Sequence, residues 1–309
     1  MLQFCSQISE EFPEFYIVYG NNRARYPYSN SLLVQIEKKS HSAILFDNGI
    51  GHRLIRKLKR EFDIQKTYLS HWHEDHVSGC ALFKKHEYYC HNLDIPPLRD
   101  LDLFIDLYGV KGTPAEKEFF PIMQFLKIEP LNDIKIIQDN DLIPIRDDLS
   151  VRIIHTPGHT AGHCSFFEPK SKIIFLADID LSKLGPMYLC QDANVNEFEE
   201  SIKKILSLDI DYAISGHNGL FTGKKIIADA LKRYLNVIYE RDNKVLNLLS
   251  EKIPKTTKDL IKKRIVYKNY EGEFANYLVI SEDFIIQNHF DRLIQKGIIK
   301  KEDNGYILS

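Results

Sequence analysis

The chain has 309 residues, 44% of them hydrophobic and 27% charged, with 41 Lys/Arg against 43 Asp/Glu for a net charge of −2. That is the composition of an ordinary soluble protein, long enough to bury a full core in one large domain or two unequal ones. No apolar run reaches the length of a membrane span, and the overall charge singles out no class of partner.

Short apolar, β-rich runs at Phe15–Tyr19, Leu32–Ile36 and Ala43–Phe46 predict three strands, with Asp47-Asn48-Gly49 turning the chain after the third. Ile55 to Phe62 reads as a basic amphipathic helix, and Lys66–Ser70 as a strand that delivers His71 at its C-terminal end. Loops leaving buried strand ends are held rigidly by the sheet, which suits metal ligands. Between residues 92 and 130, Leu101, Phe104, Ile105 and Tyr108, then Phe119, Phe120, Met123 and Phe125, fall at helical spacing. They predict two inserted helices, packed on the domain or walling a pocket.

Strands resume at Ile134–Ile137, Val151–Ile154, Cys164–Phe167 and Ile173–Leu176; the last three are bounded by Pro157-Gly158, Pro169-Lys170-Ser171 and Asp178. A helix over Val195–Leu206, capped by Asn194, precedes a strand at Tyr212–Ser215 that ends in Gly216-His217. From Lys224 the pattern is helical, at Ile226–Tyr239 and Asn243–Leu249. After Pro254, Thr256 and Thr257 offer caps for a helix over Asp259–Ile265. Ser281–Gln295 is a further amphipathic helix, and the residues from Ile298 to Ile307, with Asp303-Asn304-Gly305 as their turn, read as a terminal hairpin. Two units are expected, residues 1–225 and 226–309, the second with the helix order of a small winged helix-turn-helix module.

Residues His71, His73, Asp75 and His76 form an H-x-H-x-D-H run, three imidazoles and a carboxylate within six residues. Such a density makes little sense as core and good sense as a metal cradle. More donors arrive where strands end: His155, His159 and His163 after one strand, Asp178 after another, His217 after the last. Alone, His159 or His217 would read as an ordinary hydrogen-bonded histidine and Asp178 as a turn residue; the set gives them weight. Neutral imidazoles with carboxylates suit zinc and also accept iron or manganese. Trp72 and Glu74, between the donors, are expected to face away from the metals.

Together, the segments H-x-H-x-D-H, T-P-G-H-T-x-G-H, L-A-D and S-G-H-N-G resemble the metallo-β-lactamase superfamily of metal hydrolases over roughly residues 15–220. The all-histidine pattern is most similar to the glyoxalase-II and lactonase type. The resemblance implies an α/β fold, a four-layer αββα sandwich, here with a small C-terminal winged-helix-like domain. It implies two divalent metals, the first on His71, His73 and His159, the second on Asp75, His76 and His217, with Asp178 bridging. A water shared by two such metals is acidified toward neutrality, and Asp75 is placed to orient it and accept its proton. By likeness to lactonases, Tyr188 is a candidate oxyanion donor; His163 is a second candidate substrate contact.

The tail resembles the winged-helix extension of a subgroup that includes an endoribonuclease. Its Ser281–Gln295 helix offers phosphates only Arg292 and Lys296, against Glu282, Asp283 and Asp291. That favours packing or a homodimer contact over nucleic-acid binding. Residues 224–309 hold 17 Lys/Arg against 12 Asp/Glu, too mild an excess to alter this.

The expected function is dinuclear hydrolysis of a small acyl substrate: a thioester, a lactone or an ester. A single-strand endoribonuclease or phosphodiesterase and a mononuclear-iron persulfide dioxygenase are the alternatives. Five scattered cysteines without C-x-x-C argue for free thiols in a reducing compartment, and Met1 to Gly20 does not read as a signal peptide, so a cytoplasmic location is expected.

Overall fold

The computed structural model describes residues 3–37, 41–83 and 86–309. Strands β1 (Cys5–Gln7) and β2 (Phe15–Val18) pair antiparallel, and a single left-handed turn, α1 (Asn21–Ala24), leads on to β3 (Ser31–Gln35) and β4 (Ser42–Phe46). Helix α2 (His52–Glu61) crosses over to β5 (Asp63–Tyr68), which lies parallel to β4. The short α3 (Glu74–Val77) follows, then β6 (Glu87–His91), α4 (Ile95–Arg99), α5 (Leu101–Leu107), α6 (Glu116–Leu126) and β7 (Ile134–Ile137). Strands β1 to β7 make one sheet in sequential order.

The second sheet takes β8 (Leu142–Arg146), β9 (Leu149–His155), β10 (Cys164–Glu168), β11 (Ile173–Ala177), β12 (Tyr212–Ser215) and β13 (Gly219–Thr222), with α7 (Val195–Leu206) between β11 and β12. Asn194 caps α7 as expected, accepting from the N–H groups of Asn196 and Glu197. Helices α8 (Lys224–Leu246), α9 (Thr257–Ile261) and α10 (Ala275–Gln295) and the hairpin β14 (Ile299–Glu302) and β15 (Gly305–Leu308) complete the chain.

The sheets pack face to face. Phe15, Leu32, Ile44 and Phe46 of the first meet Val151, Phe166 and Phe175 of the second. Ile55 and Leu58 of α2 cover the outer side of the first sheet, α4 to α6 cover the rest, and α7 and α8 cover the second. The arrangement is the expected four-layer αββα sandwich. Strand β11 is buried along its whole length: Ile173, Phe175 and Ala177 face the other sheet while Ile174 and Leu176 face α7 and α8. A strand buried on both sides is apolar without alternation, which is why it is legible as a continuous run.

Strands β9, β11 and β12 run the same way, because β10 is antiparallel to both β9 and β11 while β12 is parallel to β11. Their C-terminal ends therefore share one rim. The tail has a small core of its own, with Val245, Leu260, Phe290 and Tyr306, but Ile285 of α10 enters the core under the second sheet and Tyr277 packs against that of α4 to α6.

Candidate metal centre

Five strand ends supply the site. β4 leads into Asp47, β5 into His71 and His73, β9 into His159, β11 into Asp178 and β12 into His217, while α3 carries Asp75 and His76. Donor atoms of His71, His73, His159 and Asp178 converge within 4.8 Å of one another, and those of Asp75, His76 and His217 form a second such group. The seven residues singled out in the sequence are thus brought together in two clusters able to hold metal. Asp178 faces both: Oδ2 lies 3.1 Å from His159 Nε2 and 4.0 Å from His71 Nε2, and Oδ1 lies 2.8 Å from His76 Nε2 and 3.4 Å from His217 Nε2. Two glycines make room. Gly158, with φ of +126°, turns the chain into His159, and a Cβ on Gly216 would approach Asp178 Oδ1 to 2.8 Å.

Each imidazole has its other nitrogen bonded away from the clusters. His71 Nδ1 donates to Ser70 Oγ at 2.8 Å, whose own proton goes to Asp47 Oδ2 at 2.7 Å. His76 Nδ1 donates to the same Asp47 oxygen at 2.7 Å, His159 Nδ1 to the Met187 carbonyl at 2.7 Å, and His217 Nδ1 to the Ala24 carbonyl at 2.7 Å. His73 is turned the other way, its Nε2 3.4 Å from Cys190 Sγ. Carbonyls and carboxylates only accept, so the proton is drawn to the outer nitrogen and a lone pair is left pointing inward. Those inner nitrogens crowd together: His73 Nδ1 is 3.1 Å from His71 Nε2 and 2.9 Å from His159 Nε2. Lone pairs facing one another at that distance repel unless a cation lies between them, so the donor set fits a metal.

Charge points the same way. Burial, then the neighbouring imidazoles, hold His71 and His73 well below the usual histidine range. Burial also opposes protonation of His217, but Asp178, then Asp75 and Asp180, outweigh it and lift it to about 10. Desolvation opposes ionisation of Asp178, yet His76, His217 and His159 outweigh it and hold its carboxyl well below the usual range. The carboxylates draw positive charge into the site, where protons and metal cations compete for the same donors.

A cavity of about 470 Å³ opens in front, with His73, Asp75, His159, Asp178 and His217 among its lining. Tyr188 and His163, expected to contact substrate, are not in that lining. Tyr188 is fully buried; its hydroxyl accepts from an Arg241 nitrogen at 2.9 Å and gives its proton to His289 Nε2 at 2.7 Å, whose Nδ1 is held by Asp242, so none is left for an oxyanion. His163 lies behind the cluster, bonded to Thr156 Oγ1 at 2.9 Å, and accepts the Asp178 backbone N–H at 3.2 Å. It fixes the main chain of Asp178 and does not meet the cavity. His155 stacks on His91 with ring centroids 4.1 Å apart. Trp72 packs against Phe104 and Tyr108 and, contrary to the expectation, edge-on against the ring of the donor His73 at 4.5 Å; it gives its indole N–H to Asp192. Glu74 is different: it lines the cavity, with one tyrosine hydroxyl on each oxygen.

Sequence reasoning missed Asp47, read as a turn former, together with the backbone carbonyls of Met187 and Ala24. Ala24, Asp47 and Ala177 have φ of 55°, 57° and 46°, left-handed values that cost energy in residues bearing a Cβ, and all three adjoin the clusters.

The metallo-beta-lactamase superfamily matches residues 25–217, more than half of the chain. A probable metallo-hydrolase of Bacillus subtilis is 21% identical over 227 residues, covering 65% of this chain and 84% of the relative. A hydroxyacylglutathione hydrolase of Haemophilus influenzae is 25% identical over 144 residues, 46% of this chain and 63% of that protein. Among solved structures, a metallo-beta-lactamase family protein of Thermus thermophilus superposes with a TM-score of 0.72 at 19% identity, covering 96% of this chain and 99% of the other. A beta-lactamase domain protein of Burkholderia ambifaria does so with a TM-score of 0.70 at 14% identity, covering 99% and 93%. At those identities the structural likeness is one of fold, and it extends over the tail as well as the sandwich. With the family's motifs in sequence and its layers in space, the chain belongs to the metallo-beta-lactamase superfamily.

Proposed function

We propose that the protein is a dinuclear metal-dependent hydrolase of small acyl substrates (thioesters, lactones or esters), with zinc the best fit to its donors and iron or manganese also accommodated. The observation that carries this reading is the division of Asp178, one oxygen toward His71 and His159 and the other toward His76 and His217. The second cluster, Asp75, His76 and His217, favours two ions over the single iron of an oxygenase.

Metal ions held there would supply Lewis acidity and a water acidified toward neutrality. The chain's own residues do the rest. Asp75 turns Oδ2 toward His217 Nε2 at 3.4 Å, leaving its other oxygen to accept a hydrogen bond from the attacking water and then its proton. Asp47, through Ser70 and His76, and Met187, through His159, hold the imidazoles at their angles. Arg25 is the one Lys or Arg lining the cavity among the described residues, so a nucleic-acid backbone would find little attraction there. Likeness to a probable metallo-hydrolase and to a hydroxyacylglutathione hydrolase supports hydrolysis without naming a substrate.

Metal-loaded protein assayed on thioesters, lactones, p-nitrophenyl esters, bis(p-nitrophenyl) phosphate and single-stranded RNA tests the reading. Chelator-sensitive hydrolysis of an acyl compound is expected. Activity confined to RNA, or oxygen consumption on a persulfide with one iron bound, would contradict it.

A further inference from the structure

The tail contributes a wall of the cavity. Tyr267, Phe274, Tyr277 and Leu278 line it from one side, and Tyr26, Tyr108 and Phe119 from the sandwich and its inserted helices. The two groups of rings interlock. Tyr26 meets Phe274 at 5.6 Å and 85°, Phe119 meets Tyr277 at 4.8 Å and 73°, and Tyr108 meets Phe119 at 4.6 Å and 50°.

Four of the five tyrosine hydroxyls in this wall are already engaged. Tyr26 and Tyr108 donate to the two oxygens of Glu74, each at 2.6 Å. Tyr234 donates to the Asp178 carbonyl at 3.2 Å, and Tyr267 accepts from Ser281 Oγ at 3.2 Å. Tyr26 is exposed and Tyr267, Phe274 and Tyr277 are half-buried, so these four offer a ligand ring faces and edges, with the buried Tyr108, Phe119 and Tyr234 packed behind them. Glu74, its oxygens both taken, serves the wall.

We propose that this aromatic enclosure binds the acyl part of the substrate, and that the group it takes is bulky, apolar and ring-bearing. The proposal rests on the hydrolase reading and names the substrate class of that same site. Size supports it: about 470 Å³ is the range of a drug-sized ligand site, and an acetyl group would leave most of it wet. Geometry supports it, since a guest ring can pack edge to face against several of the others. Apolarity supports it as well: the rings and Leu278 on the tail side give an acyl carboxylate nothing to replace its water, so a chain ending in one is disfavoured.

The test is hydrolysis of N-acetylcysteamine thioesters carrying acetyl, hexanoyl, succinyl, phenylacetyl and naphthylacetyl groups by the zinc-loaded full chain. The leaving group is constant and uncharged, so only the acyl group is read. The expected order puts naphthylacetyl and phenylacetyl first, with kcat/KM about 100-fold above acetyl, and succinyl last. Phe274→Ala and Tyr277→Ala should each lower the arylacyl-to-acetyl ratio about tenfold, and Phe274→Leu, which keeps bulk without a ring, should lower it too. A flat series, a preference for succinyl, or variants that lower all substrates in parallel would overturn the acyl site while leaving the hydrolase reading intact. If no thioester is cleaved, the hydrolase reading is left to lactones and other esters, and calorimetry with 2-naphthylacetate and acetate decides the site. Saturable naphthylacetate binding weakened by Phe274→Ala sustains it; no such binding ends it.

Discussion

Asp47 touches neither candidate metal position yet holds two of the donors. It sits beyond β4 with φ of 57°, and its oxygens receive the Ser70 N–H at 2.7 Å, the Ser70 hydroxyl and His76 Nδ1. Asp47→Ala should weaken metal binding about 10–100-fold, measured by competition with a chelating dye, with little change in the unliganded fold. The donors themselves were legible because H-x-H-x-D-H brings four of them within one loop. Asp47 was not, because its partners lie 23 and 29 residues away and Asp-Asn-Gly has the local chemistry of a turn. Tyr188 failed for a related reason. A tyrosine near the right motif says nothing of His289, 101 residues on, which takes its hydroxyl proton. Away from the metals, His91 is stacked on His155, and burial, then His155, holds its pKa down to about 4 against an ordinary 6.5. The folded protein therefore resists protonation there. That contribution is full above pH 6.5 and is lost as pH falls toward 4, about 2–3 kcal/mol in all. His91→Phe keeps the stack and removes the charge, so the fall in Tm between pH 6.5 and 4 should flatten.

Helix α8 was read as two pieces, broken near residues 240–242, yet it runs unbroken over Lys224–Leu246. Glu240-Arg241-Asp242-Asn243 looks like a polar interruption, but Arg241 and Asp242 are buried. Asp242 holds His289 Nδ1 at 2.6 Å and Arg292 Nε at 2.9 Å, both on α10. Arg241 donates to the carbonyls of Leu184 and Pro186 and to Tyr188. This network braces the loop in which the Met187 carbonyl orients His159. Arg241→Met strands those acceptors and should cost about 2–4 kcal/mol in urea unfolding, with weaker metal binding as the sign that His159 has lost its support. The sequence reading omits the edge strands β1, β8 and β13, each short and unsupported on one side, with Pro144 tolerated in β8 for that reason, and also the interior β6, whose Glu-Tyr-Tyr-Cys-His shows no apolar alternation. The strands that lead into donors, β5, β9, β11 and β12, are interior, and all but the polar β5 are largely apolar; each lies within a few residues of its expected bounds.

At the scale of the molecule, the order of elements and the ligand motifs were enough to foresee the αββα sandwich. The role of the tail was not, since Tyr267, Phe274 and Tyr277 gain meaning only when folded against Tyr26, Tyr108 and Phe119. The tail also completes the core. Ile227, Leu231, Tyr234, Ile238 and Ile285 pack with Ile174, Leu176 and Phe198 of the second sheet and α7. A fragment ending at residue 225 exposes that face and should aggregate or lose its near-ultraviolet circular dichroism; a folded, metal-loaded fragment would show the sandwich to be self-sufficient. The most direct measurement of all is metal content by mass spectrometry on the full chain and on Asp178→Ala, each saturated with zinc. About two ions per chain are expected for the natural protein, and at most about one for the variant, with hydrolysis lost. One ion per natural chain at saturation, or two retained by Asp178→Ala, would contradict a centre bridged by that carboxylate.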